Sequence, residues 1–283
     1  MIPLLAELRR AETKPQRLHS FWKSLPLPLK RAAILLGKAL LLAHLGLFLA
    51  ILVFSLLYSF LNPPATSLML YRRLFNNQKL RPVKFVPLSK IPRSVRQMLI
   101  KVEDYKFYEH AGIDLQAIKD AWEVNRAIGY NLYGGSTLTQ QLARTLFLYP
   151  RKTYLRKYLE ALVALEMDLV MKKDRLLELY FNYAEWGRGV FGIGAAASYY
   201  YRKGLSTLTA DEYMRMIAIL SSPMRYNVNN FQKSRLLAER YRYLSSRFGP
   251  PAPSPPPEAV QTPSPASQSP ESPAEEAKPL PVS

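Results

Sequence analysis

The sequence contains no cysteine and only three histidines among its 283 residues. The absence of cysteine excludes disulfide bonds, thiolate nucleophiles and cysteine-ligated zinc. The histidines are His19, His44 and His110, which are too few and too scattered for a histidine-rich metal site. A Ser-His-Asp catalytic triad would have to use His110. His19 lies in the segment predicted below to be a cytoplasmic arm, and His44 lies in the segment predicted to span the membrane. Carboxylate catalysis is the familiar chemistry that remains.

Large apolar side chains are almost missing from residues 250–283, which are dominated by Pro, Ser, Ala and Glu. Such a segment buries too little surface to offset the entropy of ordering, so it is predicted to be a disordered tail.

Charge is missing from Ala39 to Leu61, a run of 23 residues. At about 1.5 Å per residue this run spans a hydrocarbon core of roughly 30 Å. A buried core helix and a cleaved signal peptide are the alternatives, but the length of the run and the long segment before it favour a retained anchor.

Basic residues before the apolar run predict its orientation, because positive charge stays on the cytoplasmic side. The leading cations are Arg9, Arg10, Lys14, Arg17, Lys23, Lys30, Arg31 and Lys38. Everything after about residue 62 is therefore expected outside the cytoplasm. The predicted organisation is a basic cytoplasmic arm at 1–38, a transmembrane helix at 39–61, one domain at 62–249 and the tail at 250–283.

The formal net charge of +18 indicates a protein that attracts anionic partners. Nucleic acid is not expected, since an exported domain behind a membrane anchor rarely meets it. Phosphate-bearing headgroups and lipid-linked substrates are the better candidates on that side. A general solubilising charge near an anionic membrane explains the composition equally well.

Apolar spacing between the two ends predicts a mainly α-helical domain. Val95, Met98, Leu99 and Val102 recur at i, i+3, i+4 and i+7, as on the buried face of a helix. The same period continues in three further sets: Leu159, Leu162, Val163 and Val170; Leu176, Leu177, Tyr180 and Phe181; Met214, Ile217, Ala218 and Leu220. No run of alternating strands is recognisable, although residues 81–88 can form one short extended segment.

Glu103 is the first candidate for chemistry, because it follows directly after the stripe that ends at Val102. A carboxylate at the edge of an apolar face is expected to be partly desolvated, which suits proton transfer. An ordinary acid at a helix end is the alternative.

Two polar clusters follow Glu103. Arg156, Lys157 and Glu160 share one side of a helix, either as a solvated salt-bridge cluster or as cations for a pyrophosphate leaving group. Gly134-Gly135-Ser136-Thr137 reads as a turn and helix cap. Gln140, Gln141 and Arg144 in the following turns add donors suited to polyhydroxylated, anionic ligands.

Five motifs in one order together resemble glycosyltransferase family 51, the peptidoglycan glycosyltransferases, over roughly residues 64–245. They are Glu103-Asp104 with Phe107, His110 and Gly112; Gly134 to Thr137 with Thr139-Gln140-Gln141; Arg156-Lys157 with Glu160; Arg175 to Asn182 with Gly192-Ile193 and Ala195-Ala196; and Asp211-Glu212 to Ser222-Pro223 and Arg225-Tyr226. The variant Ala184-Glu185-Trp186-Gly187 points to the monofunctional biosynthetic branch.

The resemblance implies a lysozyme-like helical fold at the bacterial inner membrane that polymerises lipid II into β-1,4-linked glycan strands. Glu103 would be the general base, and Glu160, the family's second glutamate, would lie beside the pyrophosphate with Arg156 and Lys157. Ser136, Thr137, Gln140 and Gln141 would line the donor sugar and phosphate region, with Arg144 as an anionic contact. Asp104, Phe107 and His110 would shape the cleft, and Asn182 would brace it. No cofactor is required by this chemistry, a divalent cation is compatible with it, and other cell-wall synthesis proteins are candidate partners.

The chain departs from the family where Arg144-Thr145 replaces the usual Lys-Asn, which exchanges a compact ammonium group for a planar guanidinium group.

Between the first two motifs the family has a mobile flap that dips into the bilayer. Apolar and aromatic residues fill that segment here, and core packing is the alternative explanation: Ile118, Ala121, Trp122, Ile128, Tyr130, Leu132 and Tyr133.

Two other classes share some of these features. A peptidoglycan-cleaving enzyme would share the fold and the glutamate but would not need the Arg156-Lys157-Glu160 cluster. A membrane-anchored wall-binding module would not need the Glu103 carboxylate.

Overall fold

The computed structural model describes residues 26–129, 134–151 and 153–249. Within these ranges it has ten α-helices, one two-stranded sheet and three short 3-10 turns, which confirms the predicted mainly α fold. The helices are α1 (Leu27–Phe60), α2 (Ser67–Leu74), α3 (Arg93–Glu103), α4 (Leu115–Ile128), α5 (Leu138–Phe147), α6 (Tyr154–Val170), α7 (Lys173–Tyr183), α8 (Ile193–Tyr201), α9 (Ala210–Ile219) and α10 (Arg235–Phe248). The predicted arm before Pro26 and the predicted tail from Pro250 lie outside the described residues.

Helix α1 begins earlier than the apolar run predicted, at Leu27 instead of Ala39. Its 34 residues correspond to a length of roughly 51 Å, so it is longer than a hydrocarbon core. Only Ile51 and Ser55 are buried along it, and its other side chains are largely exposed. The alternative of a buried core helix is therefore wrong, and α1 is long and apolar enough to cross a membrane.

The C-terminal end of α1 is held by the domain that follows it. Arg175 of α7 donates from Nε to the Tyr58 carbonyl at 2.8 Å and from its guanidinium to the Leu61 carbonyl at 2.7 Å. Ser59 Oγ donates to the carbonyl of Val170, the last residue of α6, at 3.4 Å. Because the last carbonyls of a helix have no partner within the helix, Arg175 satisfies groups that α1 leaves open.

The apolar periodicity correctly predicts which faces of α3, α7 and α9 are buried. In α3, Val95, Met98 and Leu99 are at most 2% exposed. The predicted stripe of α7 is equally buried, and α9 begins at a capping box in which Thr209 and Glu212 exchange hydrogen bonds. In α6 the buried face is rotated from the predicted stripe, because it includes charged residues described below.

Residues 81–88 do not form a strand, but one side chain holds them in place. Asn182 of α7 accepts from the Val86 N–H at 2.7 Å and donates to the Val86 carbonyl at 2.8 Å, as a neighbouring strand would. Asn182 thereby holds residues 81–88 against α7, whereas its expected role in bracing the cleft stays a prediction.

A short antiparallel hairpin was not expected from the sequence. It pairs β1 (Glu185–Gly187) with β2 (Val190–Phe191) through a turn in which Gly189 has φ 68°. A Cβ at Gly189 would lie 2.6 Å from the Lys79 carbonyl oxygen, so this turn requires glycine for its conformation and for space. The hairpin buries Glu185 and Trp186 and lies directly after α7.

Helix α4 contributes no buried residue, so the core-packing explanation of its apolar side chains is wrong. Trp122 is 59% exposed, and Ile118 and Ile128 are also exposed. Tyr130, Leu132 and Tyr133 lie outside the described residues. Membrane contact of this segment stays a prediction.

Glu166 of α6 is a buried acid without a partner. The residue is 8% exposed, and its Oε2 has no hydrogen-bond partner among the described residues. Burial disfavours the charged form and raises the pKa of this carboxyl to about 7, from 4.5. Between these two pH values the folded protein keeps a proton that the unfolded chain releases, so its stability falls as pH rises from about 4.5 to about 7.

The variant Glu166→Gln is expected to lose that pH dependence, because its amide does not ionise. Thermal unfolding of the detergent-solubilised protein from pH 4.5 to pH 8 tests this. The melting temperature of the variant should fall less steeply than that of the wild type and exceed it above pH 7. Glu123→Gln on α4, where the side chain is 55% exposed, is the matched control. Parallel curves for the wild type and Glu166→Gln would contradict the expectation.

Candidate active site

Glu103 is the last residue of α3, and its side chain is only 7% exposed. Its Oε2 accepts a hydrogen bond from Gln141 Nε2 of α5 at 2.9 Å, and its Oε1 pairs with the guanidinium of Arg240 of α10. The expected partial desolvation of Glu103 is therefore confirmed. Three separate helices meet at this carboxylate.

The Gln141 amide can take only one orientation between its neighbours. A carboxylate only accepts hydrogen bonds, so the amide nitrogen must face Glu103. The amide oxygen then accepts from the hydroxyl of Tyr180 at 2.9 Å. Burial raises the pKa of Tyr180 well above 10, which keeps this hydroxyl protonated as a donor. Tyr180 thus fixes Gln141, and Gln141 fixes Glu103.

Asp104 connects the end of α3 to the start of α5. Its carboxylate accepts from the Leu138 N–H at 2.8 Å and lies 3.0 Å from His110 Nε2. The first motif therefore folds back over its own loop, and its acid satisfies one of the free N–H groups of α5. The Asp104–His110 contact thus fixes the loop that follows α3, and the role of these residues in shaping the cleft stays a prediction.

Thr137 and Gln140 form a capping box at the start of α5. The Thr137 hydroxyl accepts from the Gln140 N–H, and the Gln140 side chain accepts from the Thr137 N–H, both at 3.1 Å. The same hydroxyl donates to the Gly112 carbonyl at 2.6 Å. Both residues are at most 2% exposed, so the cap that the sequence suggested is present. Direct contact of either side chain with a substrate stays a prediction.

Gly112 allows the first motif to approach α6. Its φ is 80°, and a Cβ there would lie 2.6 Å from the Ala164 carbonyl oxygen. Any other residue would be strained and would push the loop away from α6. The Gly112 carbonyl would then move away from Thr137.

Glu160 is completely buried, so the interpretation of its cluster as a solvated surface network is wrong. One carboxylate oxygen pairs with the Arg156 guanidinium, and the other accepts from Lys157 Nζ at 2.6 Å. Arg156 also donates from Nε to the Arg151 carbonyl at 2.6 Å. A buried carboxylate needs such compensation, because an unpaired one costs several kcal/mol.

Lys157 connects this buried pair to the glycine-rich loop. Its ammonium donates to Ser136 Oγ at 2.7 Å as well as to Glu160, and its side chain is 40% exposed. Ser136 is therefore held by a cation from α6, next to the cap formed by Thr137.

A cavity of about 400 Å³, here called the α3–α4 cavity, opens beside Glu103. The end of α3, the inner side of α4 and the loop 134–137 form its walls. Its lining includes Glu103, Lys101, Asp114, Ser136 and Thr137 among apolar side chains of α4. The Glu103 carboxylate therefore has direct access to a bound molecule.

A second cavity of about 320 Å³, here called the arginine cavity, lies on the other side of Gln141. Its lining contains three guanidinium groups, from Arg72, Arg144 and Arg156. Arg72 pairs with Glu185 at 2.9 Å, and Arg156 with Glu160. Among the described residues, Arg144 makes no side-chain hydrogen bond or ion pair, so its charge is available to a ligand.

Glu185 gives the arginine cavity an acidic wall that the sequence did not suggest. Burial raises the pKa of this carboxyl, and the Arg72 guanidinium opposes that shift. The pair joins α2 to the hairpin and closes one side of the cavity.

The predicted site residues divide between the two cavities. Glu103, Ser136 and Thr137 line the first; Gln141, Arg144 and Arg156 line the second. Glu160 and Gln140 line neither, and Lys157 connects the two groups through Ser136. These assignments stay predictions, since a residue's position does not test its role.

Sequence reasoning missed Arg240, Tyr180 as a partner of Gln141, and the Arg72–Glu185 pair. No spacing rule connects Arg240 to Glu103, because 137 positions separate them. No group of three or more His, Asp or Glu side chains suited to a metal ion occurs in the described ranges. The compatibility with a divalent cation stays an open prediction.

Comparison with known proteins gives one consistent result. The Transglycosylase family matches residues 72–247, more than half of the chain. A biosynthetic peptidoglycan transglycosylase of Burkholderia vietnamiensis is 37% identical over 225 residues, covering 78% of this chain and 91% of the relative. Another of the same name from Burkholderia ambifaria is 38% identical over 212 residues, covering 72% and 86%.

The variant Glu160→Gln is expected to destabilise the domain, because Arg156 would lose its buried counter-charge. Removing one partner of a buried ion pair costs roughly 3 to 5 kcal/mol, which lowers the melting temperature of a domain this size by about 10 °C. Thermal unfolding in detergent measures the loss. The control Glu239→Gln on α10, where the side chain is 30% exposed and pairs with the exposed Arg235, should stay within about 0.5 kcal/mol of the wild type. Equal melting temperatures for the Glu160 and Glu239 variants would contradict the structural role of Glu160.

Proposed function

The chain belongs to the Transglycosylase family, and we propose from this premise that it is a peptidoglycan glycosyltransferase for cell-wall synthesis. It polymerises lipid II into β-1,4-linked glycan strands and releases undecaprenyl pyrophosphate. One observation supports this proposal above all: a desolvated carboxylate, Glu103, faces one cavity while a cationic cavity lies directly behind its partner Gln141.

Glu103 acts as the general base on the acceptor side. Its carboxylate takes the proton from the 4-hydroxyl of the incoming sugar in the α3–α4 cavity. The oxygen attacks the anomeric carbon of the growing chain as the bond from that carbon to the pyrophosphate oxygen breaks. Attack from the opposite face inverts the α-linkage into a β-linkage. The lining of that cavity combines Ser, Thr and Asp groups for sugar hydroxyls with apolar groups for ring faces.

The arginine cavity holds the leaving pyrophosphate. Negative charge develops on this group as the bond breaks, and preorganised cations stabilise it most in a site with little water. Arg144 has no protein partner to give up among the described residues, and Arg156 presents a guanidinium held from behind by Glu160. Guanidinium groups suit phosphate because they offer two parallel donors.

Glu160 acts on this reaction through its cations. Its carboxylate is buried and occupied by Arg156 and Lys157, so it orients the groups that bind phosphate. Lys157 and Ser136 extend that support to the loop that separates the two halves of the site.

A peptidoglycan-cleaving enzyme is the second candidate, because it needs a similar carboxylate in a cleft. The arginine cavity favours the synthase, since cleavage of a glycan releases no pyrophosphate. A wall-binding module is disfavoured because a binding surface has no need of a buried acid held by three helices.

Helix α1 anchors the enzyme in the bacterial inner membrane as a single span, with its N-terminus in the cytoplasm. Lys30, Arg31 and Lys38 lie in its first turns and favour the cytoplasmic side. The catalytic domain then faces the compartment where lipid-linked sugars are polymerised. Lipid II, the glycan chain and the membrane are its partners, other cell-wall proteins are candidates, and nucleic acid is not expected. No cofactor is required, and a divalent cation is compatible with the site.

Incubation of the full-length protein with labelled lipid II tests the activity. The wild type should form glycan polymer, and Glu103→Gln should lose about 10² to 10⁴-fold in rate, because an amide does not take up the proton. Glu123→Gln, on the exposed side of α4, should keep the wild-type rate. Shortening of added glycan by the wild type would identify a cleaving enzyme, and no change in either substrate would identify a binding protein.

The orientation is tested with reporters fused after Gly249. Alkaline phosphatase at this position should be active in cells, because it requires export, and a cytosolic fluorescent protein should be dark. The opposite pattern would place the domain in the cytoplasm and refute the proposed orientation. Replacing Lys30, Arg31 and Lys38 by Gln should reduce the phosphatase signal, since it weakens the charge bias.

A further inference from the structure

Arg240 contacts the proposed base although no motif of the sequence contains it. Its guanidinium pairs with Glu103 Oε1 and donates to the Val102 carbonyl at 3.4 Å. Its side chain is 14% exposed, so the contact is largely removed from water. Among the described residues it pairs with no other carboxylate, and its charge is therefore directed at Glu103.

The position of Glu103 at the end of a helix explains why a cation is needed there. The last carbonyls of α3 carry the negative end of the helix dipole, and a carboxylate at that end is unfavourable. A side chain only 7% exposed has little water to compensate. Left alone, it would turn away from the cavity toward solvent, where it could not accept the proton of a bound sugar. Arg240 offsets both effects, because it contacts the carboxylate and one of the last helix carbonyls.

Arg240 and Gln141 contact different oxygens of the Glu103 carboxylate, which leaves acceptor positions free for a substrate hydroxyl. Arg240 occupies Oε1 and Gln141 occupies Oε2, each with one hydrogen bond. A carboxylate offers about four acceptor positions, so positions remain for the hydroxyl of a substrate. Arg240 lines neither the α3–α4 cavity nor the arginine cavity, and so it does not itself contact the substrate in either.

We propose that Arg240 is a positioning residue for the glycosyl transfer, which holds the Glu103 carboxylate aimed into the α3–α4 cavity. The proposal rests on the proposed function of Glu103 as the base. It assigns to the last helix of the domain a part in the reaction, at a distance of 137 positions from the residue on which it acts.

Other ionisable groups surround the carboxylate without touching it. They are Lys101 and Tyr105 beside it in sequence, Asp104 with His110 next to them, Asp114 and Asp120 across the cavity, Arg144 of α5 and Tyr180 of α7. Arg240 is the cation that contacts Glu103 among the described residues. Its removal should therefore leave Gln141 as the side-chain donor that still holds the carboxylate.

The variants Arg240→Gln and Arg240→Lys of the full-length enzyme test the proposal, with labelled lipid II as substrate. Arg240→Gln should lower kcat by about tenfold to a hundredfold, because the Glu103 carboxylate loses the donor that fixes its Oε1. KM should change little, since Arg240 lines neither cavity. Arg240→Lys keeps the charge without the planar guanidinium, so it should show a smaller loss of kcat.

Arg242→Gln is the matched control, because Arg242 lies on the same helix and is exposed. It should reproduce the wild-type kcat and KM. Melting temperatures identify a variant that fails to fold, and if Arg240→Gln does so, Arg240→Lys and Arg240→Met carry the test.

An unchanged kcat in folded Arg240→Gln or Arg240→Met would overturn the proposal, as would a loss confined to KM. A wild-type enzyme without polymerising activity would instead refute the proposed function. The two failures are therefore distinguishable.

Discussion

The burial of the Glu160 carboxylate is the constraint on which the rest of the site depends. A charge with no exposure to water must be surrounded by cations, and α6 supplies two of them within one turn. Those cations in turn point outward, Arg156 to the arginine cavity and Lys157 to Ser136 in the glycine-rich loop. Glu160 thereby holds Arg156 in the wall of the arginine cavity and, through Lys157, Ser136 in the wall of the α3–α4 cavity. The carboxylate of Glu103, the proposed base, is held in a similar way, by Arg240 and Gln141.

Much of the helical framework can be predicted from the spacing of apolar residues along the sequence. Val95, Met98 and Leu99 repeat with the period of a helix, and they are buried because that face must leave water. The α6 cluster could not be placed in this way, since charged residues at helical spacing resemble a solvated face until their surroundings are known. The hairpin after α7 escaped detection because strands of three and two residues carry no readable alternation. Arg240 could not be predicted either, because its contact with Glu103 arises only when α10 packs on α3.

Several residues of the second motif serve the fold and the site at once. Thr137 and Gln140 close the first turn of α5, and Thr137 also holds the loop at Gly112. Gln141, the next residue along, faces the other way and links Tyr180 to Glu103. Consecutive positions of one helix thus differ in role: Gln140 caps the helix, and Gln141 contacts Glu103, the proposed base. This explains how a short polar segment matches both a capping signal and a ligand-binding signal.

Arg175 attaches the end of α1 to the domain that follows it. A flexible tether would allow the domain to lie at a range of heights above the bilayer, whereas the hydrogen bonds to the Tyr58 and Leu61 carbonyls hold the domain against the helix. If α1 crosses the membrane as proposed, both cavities keep one height and one tilt relative to the headgroups. Each turn added to α1 outside the membrane would displace them by about 5.4 Å. Under the proposed function, the length of α1 would thus affect which part of a lipid-linked molecule reaches Glu103.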